Sequence, residues 1–438
     1  MKDILAGAGV LLVLGSVMLA TRLFKSHLSA ESARKIVHIS MGCTALTFPF
    51  VFEYRQSVVI LGGIAALMLL FLRLNKGLRT SVGSPLFGVK RKSLGELYYI
   101  FSIMIVFVLH QSVVEYLIPI LVLTFADSLA ALVGTSYGRN SLSGEHEDRK
   151  SAEGSVMFFI TAFICVLIPL QFMDDIGSAK VLVISLLIGL LAAMIEAVSK
   201  NGNDNLLLPL LVYGFLRYNL NQTLDTMVIN LCAMMFFLMV VLFVYEVTGT
   251  SKLSIAYALL VGYIVMIQGG FFWIIPPLAM IMTFGTMPMM KDEEKQTPIP
   301  YQVVEANSLI GLACLWASVF FPQYLQTLYI AFSLSFACHL MLASYHRFIN
   351  YVNFRHVPAM LCGLAKSVVF IALPTLLITR MNWLLFILYL TCLAIAVLPG
   401  LILQKRFNCA AMSIAGAKAN EALVGITVVG FFVMGRLI

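Results

Sequence analysis

The sequence predicts an all-α protein, a polytopic bundle of transmembrane helices with about 13–15 membrane segments. Of its 438 residues, 61% are hydrophobic and only 11% are charged, which is too few to cover the surface of a soluble protein. The apolar runs recur along the chain, and their length is close to the ~20 residues that a helix needs to cross a bilayer. The short alternating segments typical of a membrane β-barrel do not occur.

Seven apolar runs in the first half are predicted to be membrane spans. They cover residues 4–20, 36–52, 56–73, 96–110, 114–136, 153–172 and 179–199. The first run has one Lys before it, a basic tail after it and no clear cleavage site, so we expect a retained helix rather than a signal peptide. The apolar stretch 206–216 is too short to cross the membrane and is expected to be re-entrant or broken.

Basic residues lie in alternate loops. Segments 21–35, 73–92 and 137–152 hold four, six and three Lys or Arg residues, whereas the loops between them are short and poor in basic residues. The positive-inside rule then places the N-terminus outside and these three loops in the cytosol. The same rule explains the net charge of +8 without a nucleic acid partner. Because no targeting segment is recognised, we expect a multi-pass protein of a bacterial inner membrane, with an internal eukaryotic membrane as the alternative.

The second half, from about residue 225, is predicted to contain six to eight further spans. The apolar run 253–289 contains glycines and prolines and is expected to form two helices or one broken helix. A soluble connector, KDEEKQTPIP, follows at 291–300. We therefore predict a first domain, 1–222, and a second transmembrane domain of unknown role, 223–438. The eight cysteines occur singly, so they are expected to be small core residues rather than disulfide or zinc ligands.

Four polar clusters are predicted to lie on the cytosolic side. They are ESARKIVH (31–38), KRKSLGE (90–96), KSAEGS (150–155) and NGNDN (201–205). The first three open spans two, four and six, and a helix N-terminus offers unpaired N–H groups and the positive end of the helix dipole. Three such helix starts, each carrying cations, would together suit a triphosphate.

Asp127 lies about 18 Å into its span when counted from Arg139 along a regular helix. An ionised group at that depth is costly and must face a polar cavity or a partner. Asp127 and Asp204, with Glu153 as a third candidate, are expected to hold Mg²⁺ between the protein and the phosphates of a substrate.

Simpler explanations exist for the other polar residues. Basic residues at cytosolic helix ends can be orientation signals alone. Ser93 and Ser151 can be helix caps, and Glu153 can complement the dipole of its own helix. Asp127 has no comparably simple explanation at membrane depth.

Five segments of the first 220 residues resemble the phytol kinase and dolichol kinase family of integral-membrane prenol kinases. In family order they are RKIVHISMG (34–42), RKSLGELYY (91–99), ADSLAALVGTSYGR (126–139), KSAEGSVMFF (150–159) and EAVSKNGNDNLLLP (196–209). The resemblance implies transfer of the γ-phosphate of a nucleoside triphosphate, typically CTP, to the hydroxyl of a prenol such as phytol or dolichol within the bilayer.

Matching positions carry the family's functional residues over to this chain. We expect catalytic roles for Asp127, Lys150 and Asp204. We expect nucleotide or phosphate binding by Arg34, Lys35, Arg91, Ser93, Gly134, Gly138, Ser151, Glu153 and Gly154. We expect Mg²⁺ to be held by Asp127, Asp204 and Asn205. His38 also falls at a matching position, and Glu196 is expected to serve packing or to support a ligand residue.

Two other functions are compatible with parts of the sequence. At a greater distance the chain is similar to phosphatidate cytidylyltransferases, which also combine CTP, Mg²⁺ and a membrane lipid. A transporter or scaffold is the third class, although the acids at 127 and 204 and the lack of a clear internal repeat argue against it. In the second half, YQVVEANSLIGLACL (301–315) faintly resembles membrane phytyl-phosphate kinases, but a structural or lipid-shielding extension is the default expectation.

Overall fold

A computed structural model describes most of the chain. The described residues are 2–24, 30–75, 77, 94–139, 150–173, 176–199, 202–248, 252–285, 301–352, 355–407 and 414–435. Every regular element within these ranges is helical apart from a single bridge residue, and none is a strand. The prediction of an all-α helical bundle is therefore confirmed.

Many of the helices are long and apolar enough to cross a membrane. Eight segments meet this description in the described residues: Lys2–Leu23, Arg55–Leu74, Val113–Tyr137, Ala152–Gln171, Ser178–Val198, Leu224–Val241, Pro322–Ile349 and His356–Thr379. Four shorter apolar helices accompany them: Gly95–Leu109, Ser254–Gly269, Phe271–Thr283 and Trp383–Ala396. The chain is thus an integral membrane protein, and the total of about 13–15 membrane segments stays a prediction.

The chain divides into two compact units, Met1–Val228 and Ile229–Ile438. The sequence placed the division between 222 and 223, ahead of the helix that contains it. Separate roles for the two units stay a prediction.

The first unit contains the helices that carry the polar clusters. In chain order they are α1 (Lys2–Leu23), α2 (Ala30–Leu46), α3 (Phe48–Val51), α4 (Arg55–Leu74), α5 (Gly95–Leu109), α6 (Val113–Leu121), α7 (Asp127–Tyr137), α8 (Ala152–Gln171), α9 (Ser178–Val198), α10 (Asp204–Leu220) and α11 (Leu224–Thr248), the last of which contains the division between the units. Predicted spans such as 56–73 and 153–172 correspond closely to α4 and α8. The predicted span 36–52 instead forms two helices, because Pro49 has no N–H to continue the hydrogen bonds of α2 and lies in the first turn of the short helix α3.

The predicted span 114–136 is a continuous helix whose middle has π-helical rather than α-helical hydrogen bonding. A π-helical segment, Val122–Ala126, joins α6 to α7 immediately before Asp127. One extra residue in a turn rotates the following side chains by about 100° relative to an uninterrupted α-helix. The Thr124 hydroxyl donates to the Ile120 carbonyl at 2.6 Å, and the Ser128 hydroxyl donates to the Thr124 carbonyl at 2.8 Å. The π-helical segment therefore sets the direction in which Asp127 points.

A close contact fixes α2 against the π-helical segment. A Cβ atom at Gly42 would overlap the side chain of Thr124, so only glycine allows the two backbones to lie this near. The Tyr116 hydroxyl of α6 donates to the Ala45 carbonyl of α2 at 2.9 Å and so holds α2 against α6 as well. This contact brings the polar start of α2 beside Asp127.

The stretch 206–216 lies within α10, a continuous helix of 17 residues with Pro209 inside it. The expectation that it is broken is wrong, because the helix also includes the polar residues on both sides of the apolar stretch. The Tyr213 hydroxyl donates to the Leu109 carbonyl at 2.7 Å, which ties α10 to the end of α5. Whether α10 is re-entrant stays a prediction.

The second unit packs around one long buried helix. After α11 its helices are α12 (Lys252–Gly269), α13 (Ile275–Gly285), α14 (Tyr301–Phe320), α15 (Leu325–Val352), α16 (His356–Ser367), α17 (Leu373–Thr379), α18 (Trp383–Phe407) and α19 (Ile414–Gly435). The expectation of two helices over 253–289 is confirmed by α12 and α13, which are separated at Gly270 by a backbone φ of 80°. Helix α15 is central, with Phe332 and Phe336 in its core. The connector 291–300 lies outside the described residues.

Candidate functional site

A polar cavity of about 60 Å³ lies in the first unit, where the starts of α5, α7 and α10 meet α2. Ten of the described residues line it: Arg34, His38, Met41, Gly95, Glu96, Tyr99, Asp127, Gly202, Asp204 and Asn205. Segments far apart in sequence therefore share one small polar space. The two acids that the sequence singled out, Asp127 and Asp204, both border it.

Asp127 is held by an ion pair with α2. Lys35 Nζ lies 2.5 Å from Asp127 Oδ2 and 3.2 Å from the Asp127 carbonyl oxygen, and only 8% of the Lys35 side chain is exposed. A buried carboxylate needs such a partner, since an unpaired charge removed from water is strongly destabilising. Lys35, which the sequence assigned to phosphate, is thus a direct partner of Asp127. The remaining exposed part of Asp127 faces the cavity.

His38 lies next to this pair and is fixed by its own contacts. Its Nε2 atom is 3.1 Å from the Leu123 carbonyl and 3.8 Å from Asp127 Oδ2. A carbonyl oxygen only accepts hydrogen bonds, so Nε2 carries a hydrogen in this arrangement. The ring also packs edge-to-face on Tyr99, with centroids 4.5 Å apart. Nε2 is therefore occupied as a donor, and these contacts fix the orientation of the ring beside Asp127.

The start of α10 forms the opposite side of the cavity. Asp204 is the first residue of that helix, and its Oδ1 atom accepts a hydrogen bond from the Asn205 N–H at 3.1 Å. The buried Asn205 side chain donates through Nδ2 to the Gly95 carbonyl at 3.0 Å. This bond joins the starts of α10 and α5, so backbone contacts at these two helix starts set the position of Asp204.

Glu96 is a further acid in the cavity for which the sequence gave no role. Its Oε2 atom is buried and has no hydrogen-bond partner among the described residues, and Arg73 Nη1 lies 4.0 Å away, beyond hydrogen-bonding distance. A buried carboxylate oxygen without a donor is unfavourable. This oxygen is therefore suited to a donor or cation that enters the cavity. The only hint in the sequence is an acid directly after the RKSLG segment, at the start of a span.

Lys150 lies in a second polar group that does not line the cavity. Its Nζ atom is 3.1 Å from Glu196 Oε1 and also donates to the Glu196 carbonyl, while the Ser155 hydroxyl lies 3.4 Å from Glu196 Oε2. Both charged side chains are mostly buried. Glu196, expected to serve packing or support, is thus the direct ion-pair partner of Lys150.

The predicted glycines lie where α7 meets the start of α8. Ser151 caps α8 by accepting a hydrogen bond from the Gly154 N–H at 3.1 Å. A Cβ atom at Gly134 would lie 3.1 Å from Ser151 Oγ, and one at Gly154 would lie 3.2 Å from the Ala130 carbonyl. A Cβ atom at Gly138 would overlap both Gly134 and Ser151. These small residues therefore let the two helices approach closely.

The remaining predicted residues are placed as follows. Glu153 lies in the first turn of α8, where an acid complements the helix dipole. Arg91 and Ser93 lie outside the described residues. Of the three helix starts expected to converge, those of α2 and α5 border the cavity, but the third helix start there is that of α10 rather than that of α8.

The residues expected to hold Mg²⁺ fit that ion only together with a substrate. Among the described residues, no group of three or more His, Cys, Asp or Glu side chains could hold a metal ion by itself. Mg²⁺ is commonly bound by one or two carboxylates plus phosphate oxygens and water. Asp127, Asp204 and Asn205 supply oxygen ligands around one cavity, and the buried Glu96 oxygen is a further acceptor.

The fold and the site define an integral-membrane helical protein with a charged cavity buried among the starts of its helices. The chain is 32% identical over 203 residues to a phytol kinase from Synechocystis sp., and the match covers 45% of this chain and 84% of that protein. The chain belongs to the family of that phytol kinase. No family model and no solved structure matches it.

Proposed function

We propose that the chain is a membrane lipid kinase that transfers the γ-phosphate of CTP, or of another nucleoside triphosphate, to the hydroxyl of a prenol such as phytol, a polyprenol or dolichol. The observation that carries the proposal is the cavity shared by Asp127, Asp204 and Arg34 in a relative of a phytol kinase. Phosphoryl transfer depends on positioning and charge neutralisation more than on covalent help from the protein. A small cavity with two acids and a cation is suited to both.

In the proposed reaction, the prenol hydroxyl donates a hydrogen bond to Asp127. The oxygen attacks the γ-phosphorus, the bond from that phosphorus to the β-phosphate oxygen breaks, CDP leaves, and the hydroxyl proton passes to the Asp127 carboxylate. Lys35 keeps Asp127 in position through the 2.5 Å contact. Arg34 lines the same cavity, which supports the proposal that it contacts the phosphates.

Asp204, Asn205 and Asp127 are the proposed ligands of Mg²⁺. The ion would offset the negative charge that the phosphate oxygens carry during transfer. Asn205 orients Asp204, because its side chain is fixed on the Gly95 carbonyl while its N–H holds Asp204 Oδ1. The Glu96 oxygen is the proposed acceptor for water or for a ligand of the ion.

We also propose that the cavity opens toward the cytosol of a bacterial cell, with the chain in the inner membrane. The support is the excess of Lys and Arg in segments 21–35, 73–92 and 137–152, on the same side as the helix starts that line the cavity. A nucleotide substrate would then be available at the open side.

The position of a radioactive phosphorus in CTP tests this function. Purified protein with Mg²⁺ and a panel of prenols is expected to transfer label from the γ position to the alcohol, to leave α-label in CDP, and to stop when the metal is chelated. Transfer of α-label to a phospholipid acid, with release of diphosphate, would support the cytidylyltransferase alternative. Absence of labelled lipid with every alcohol and nucleotide tried would contradict the kinase function, and absence of labelled lipid with phosphatidic acid would contradict the alternative.

We propose that Lys150 contacts the phosphates of the nucleotide. To do so, its ammonium group must leave the ion pair with Glu196 and bind phosphate oxygens instead. Lys150→Met is expected to raise the KM for the nucleotide by at least about tenfold, since a hydrogen bond to a charged group contributes roughly 1.5–3 kcal/mol. The KM for the alcohol should change little. Kinetic titration of each substrate with the other saturating measures this.

Glu196→Gln is the matched control, because it removes the same ion pair and leaves the lysine in place. We expect it to leave the nucleotide KM unchanged or lower it. If both variants lose thermal stability equally and neither alters the nucleotide KM selectively, the pair serves structure alone.

A further inference from the structure

A second cavity, also of about 60 Å³, lies in the first unit among α1, α2, α4 and α5. Its walls are apolar and include Ala45 of α2, Phe48 of α3, Ala65 of α4 and Ile103 of α5. The one lining residue with a hydroxyl, Thr44, donates it to the Ser40 carbonyl of its own helix at 2.7 Å. The cavity therefore offers apolar contacts to a hydrocarbon, and the hydrogen of the Thr44 hydroxyl is already used within α2.

The apolar cavity and the polar cavity are neighbours, because Met41 lines both. Along α2, the polar cavity is lined by His38 and the apolar cavity by Ala45, about 10 Å further along the helix axis. Helix α5 shows the same order, with Glu96 on the polar cavity and Ile103 on the apolar one. Along both helices the polar cavity thus comes first and the apolar cavity follows in the same direction.

This arrangement matches a molecule with a hydroxyl at one end and hydrocarbon behind it. Burial of apolar surface is favourable by roughly 25 cal/mol per Å², whereas a hydroxyl needs hydrogen-bond partners. Complete sites for drug-sized ligands measure roughly 300–1,000 Å³, so a cavity of about 60 Å³ holds only the beginning of a long chain. Helix α1 forms one wall of the cavity and is itself mostly exposed. The remaining carbons of the lipid alcohol can therefore lie in the membrane beside α1.

We propose that the apolar cavity binds the hydrocarbon of the lipid alcohol next to its hydroxyl, while the hydroxyl itself lies in the polar cavity at Asp127. This assignment rests on the proposed kinase function for its polar end. The cavity then selects the acceptor by the shape of the carbons nearest the hydroxyl, and chain length beyond them matters little. Met41 lines both cavities, so the hydrocarbon of the lipid alcohol must pass this residue.

Ala65→Phe tests the assignment by filling the apolar cavity from α4. We expect it to raise the KM for the prenol at least about tenfold, since a single misfitting group in an apolar pocket changes selectivity by roughly 10–200-fold, and to leave the nucleotide KM unchanged. Leu67→Phe is the matched control, because Leu67 is two residues further along α4, is 69% exposed and does not line the cavity. It should behave as the unchanged protein.

A phytol analogue with a diazirine close to its hydroxyl supplies a measurement that needs no turnover. After illumination of the full chain in lipid nanodiscs, we expect the label in the segments that line the apolar cavity, which are 10–14, 41–48, 58–65 and 100–104. We expect Ala65→Phe to reduce this labelling while Leu67→Phe does not. Label elsewhere, or undiminished labelling in Ala65→Phe, overturns the assignment even if that variant is inactive or unstable.

The two measurements separate this inference from the function on which it rests. If the unchanged protein phosphorylates no alcohol but is labelled in the segments that line the apolar cavity, the kinase function fails and the binding of hydrocarbon survives. If it phosphorylates prenols while the label lies elsewhere and Ala65→Phe leaves the prenol KM unchanged, the kinase function survives and this inference fails.

Discussion

Asp127→Asn is expected to lower the rate of phosphoryl transfer by at least about 100-fold, the lower end of what a general base contributes. An amide cannot take the proton of the attacking hydroxyl and is a poorer ligand for Mg²⁺ than a carboxylate. Initial rates with prenol and nucleotide both saturating measure the loss. Asp225→Asn is the matched control, since it replaces the same carboxylate by the same amide at an exposed position in the first turn of α11.

The same substitution leaves Lys35 without its partner. Removal of one member of a fully buried ion pair typically destabilises a protein by about 3–5 kcal/mol, and the loss should be smaller here because 24% of the Asp127 side chain is exposed. Asp127→Asn should therefore also lower the thermal unfolding midpoint in detergent. Lys35→Met should lower it for the complementary reason. The double variant leaves no unpaired charge, and we expect it to recover much of the midpoint but none of the activity.

That pattern would separate the chemical role of Asp127 from its structural one. Near-normal turnover by Asp127→Asn, or by the double variant, would remove Asp127 from the chemistry. A double variant as unstable as the single ones would show that the contact of Lys35 with Asp127 contributes little to the first unit.

Much of the fold could be predicted from the sequence because hydropathy is a local property. The long apolar runs mark α4 and α8 almost to the residue, since a span must satisfy its backbone within the helix. The π-helical segment 122–126 could not be predicted in this way. It depends on a shift of hydrogen bonds within one turn and on the close contact of Thr124 with Gly42, neither of which alters hydropathy.

The site shows the same division between local and distant information. Asp127 was identifiable because an acid at membrane depth is costly wherever its partners lie. Its partner was not, because Lys35 is 92 residues away in sequence and a basic residue near a helix start can equally orient the helix, bind phosphate or form an ion pair. The pairing of Lys150 with Glu196 was missed for the same reason.

Gly42→Ala is expected to disturb the site although Gly42 does not line the polar cavity. The added methyl group would overlap the Thr124 side chain, so α2 must move away from the π-helical segment. Such overpacking typically costs about 1–3 kcal/mol. Because His38 and Lys35 lie on α2 and contact Leu123 and Asp127, the movement should also lower the rate of transfer by about tenfold or more.

Gly63→Ala provides the comparison, since a Cβ atom at that helical glycine meets nothing within 4 Å. It should leave activity unchanged and stabilise α4 slightly, because alanine is favoured over glycine in a helix by up to about 1 kcal/mol. Thermal midpoints and transfer rates of the two variants, measured side by side, decide the matter. If Gly42→Ala matches Gly63→Ala in both, then α2 does not need its close approach to the π-helical segment, and the position of Lys35 beside Asp127 must be maintained by other contacts of α2.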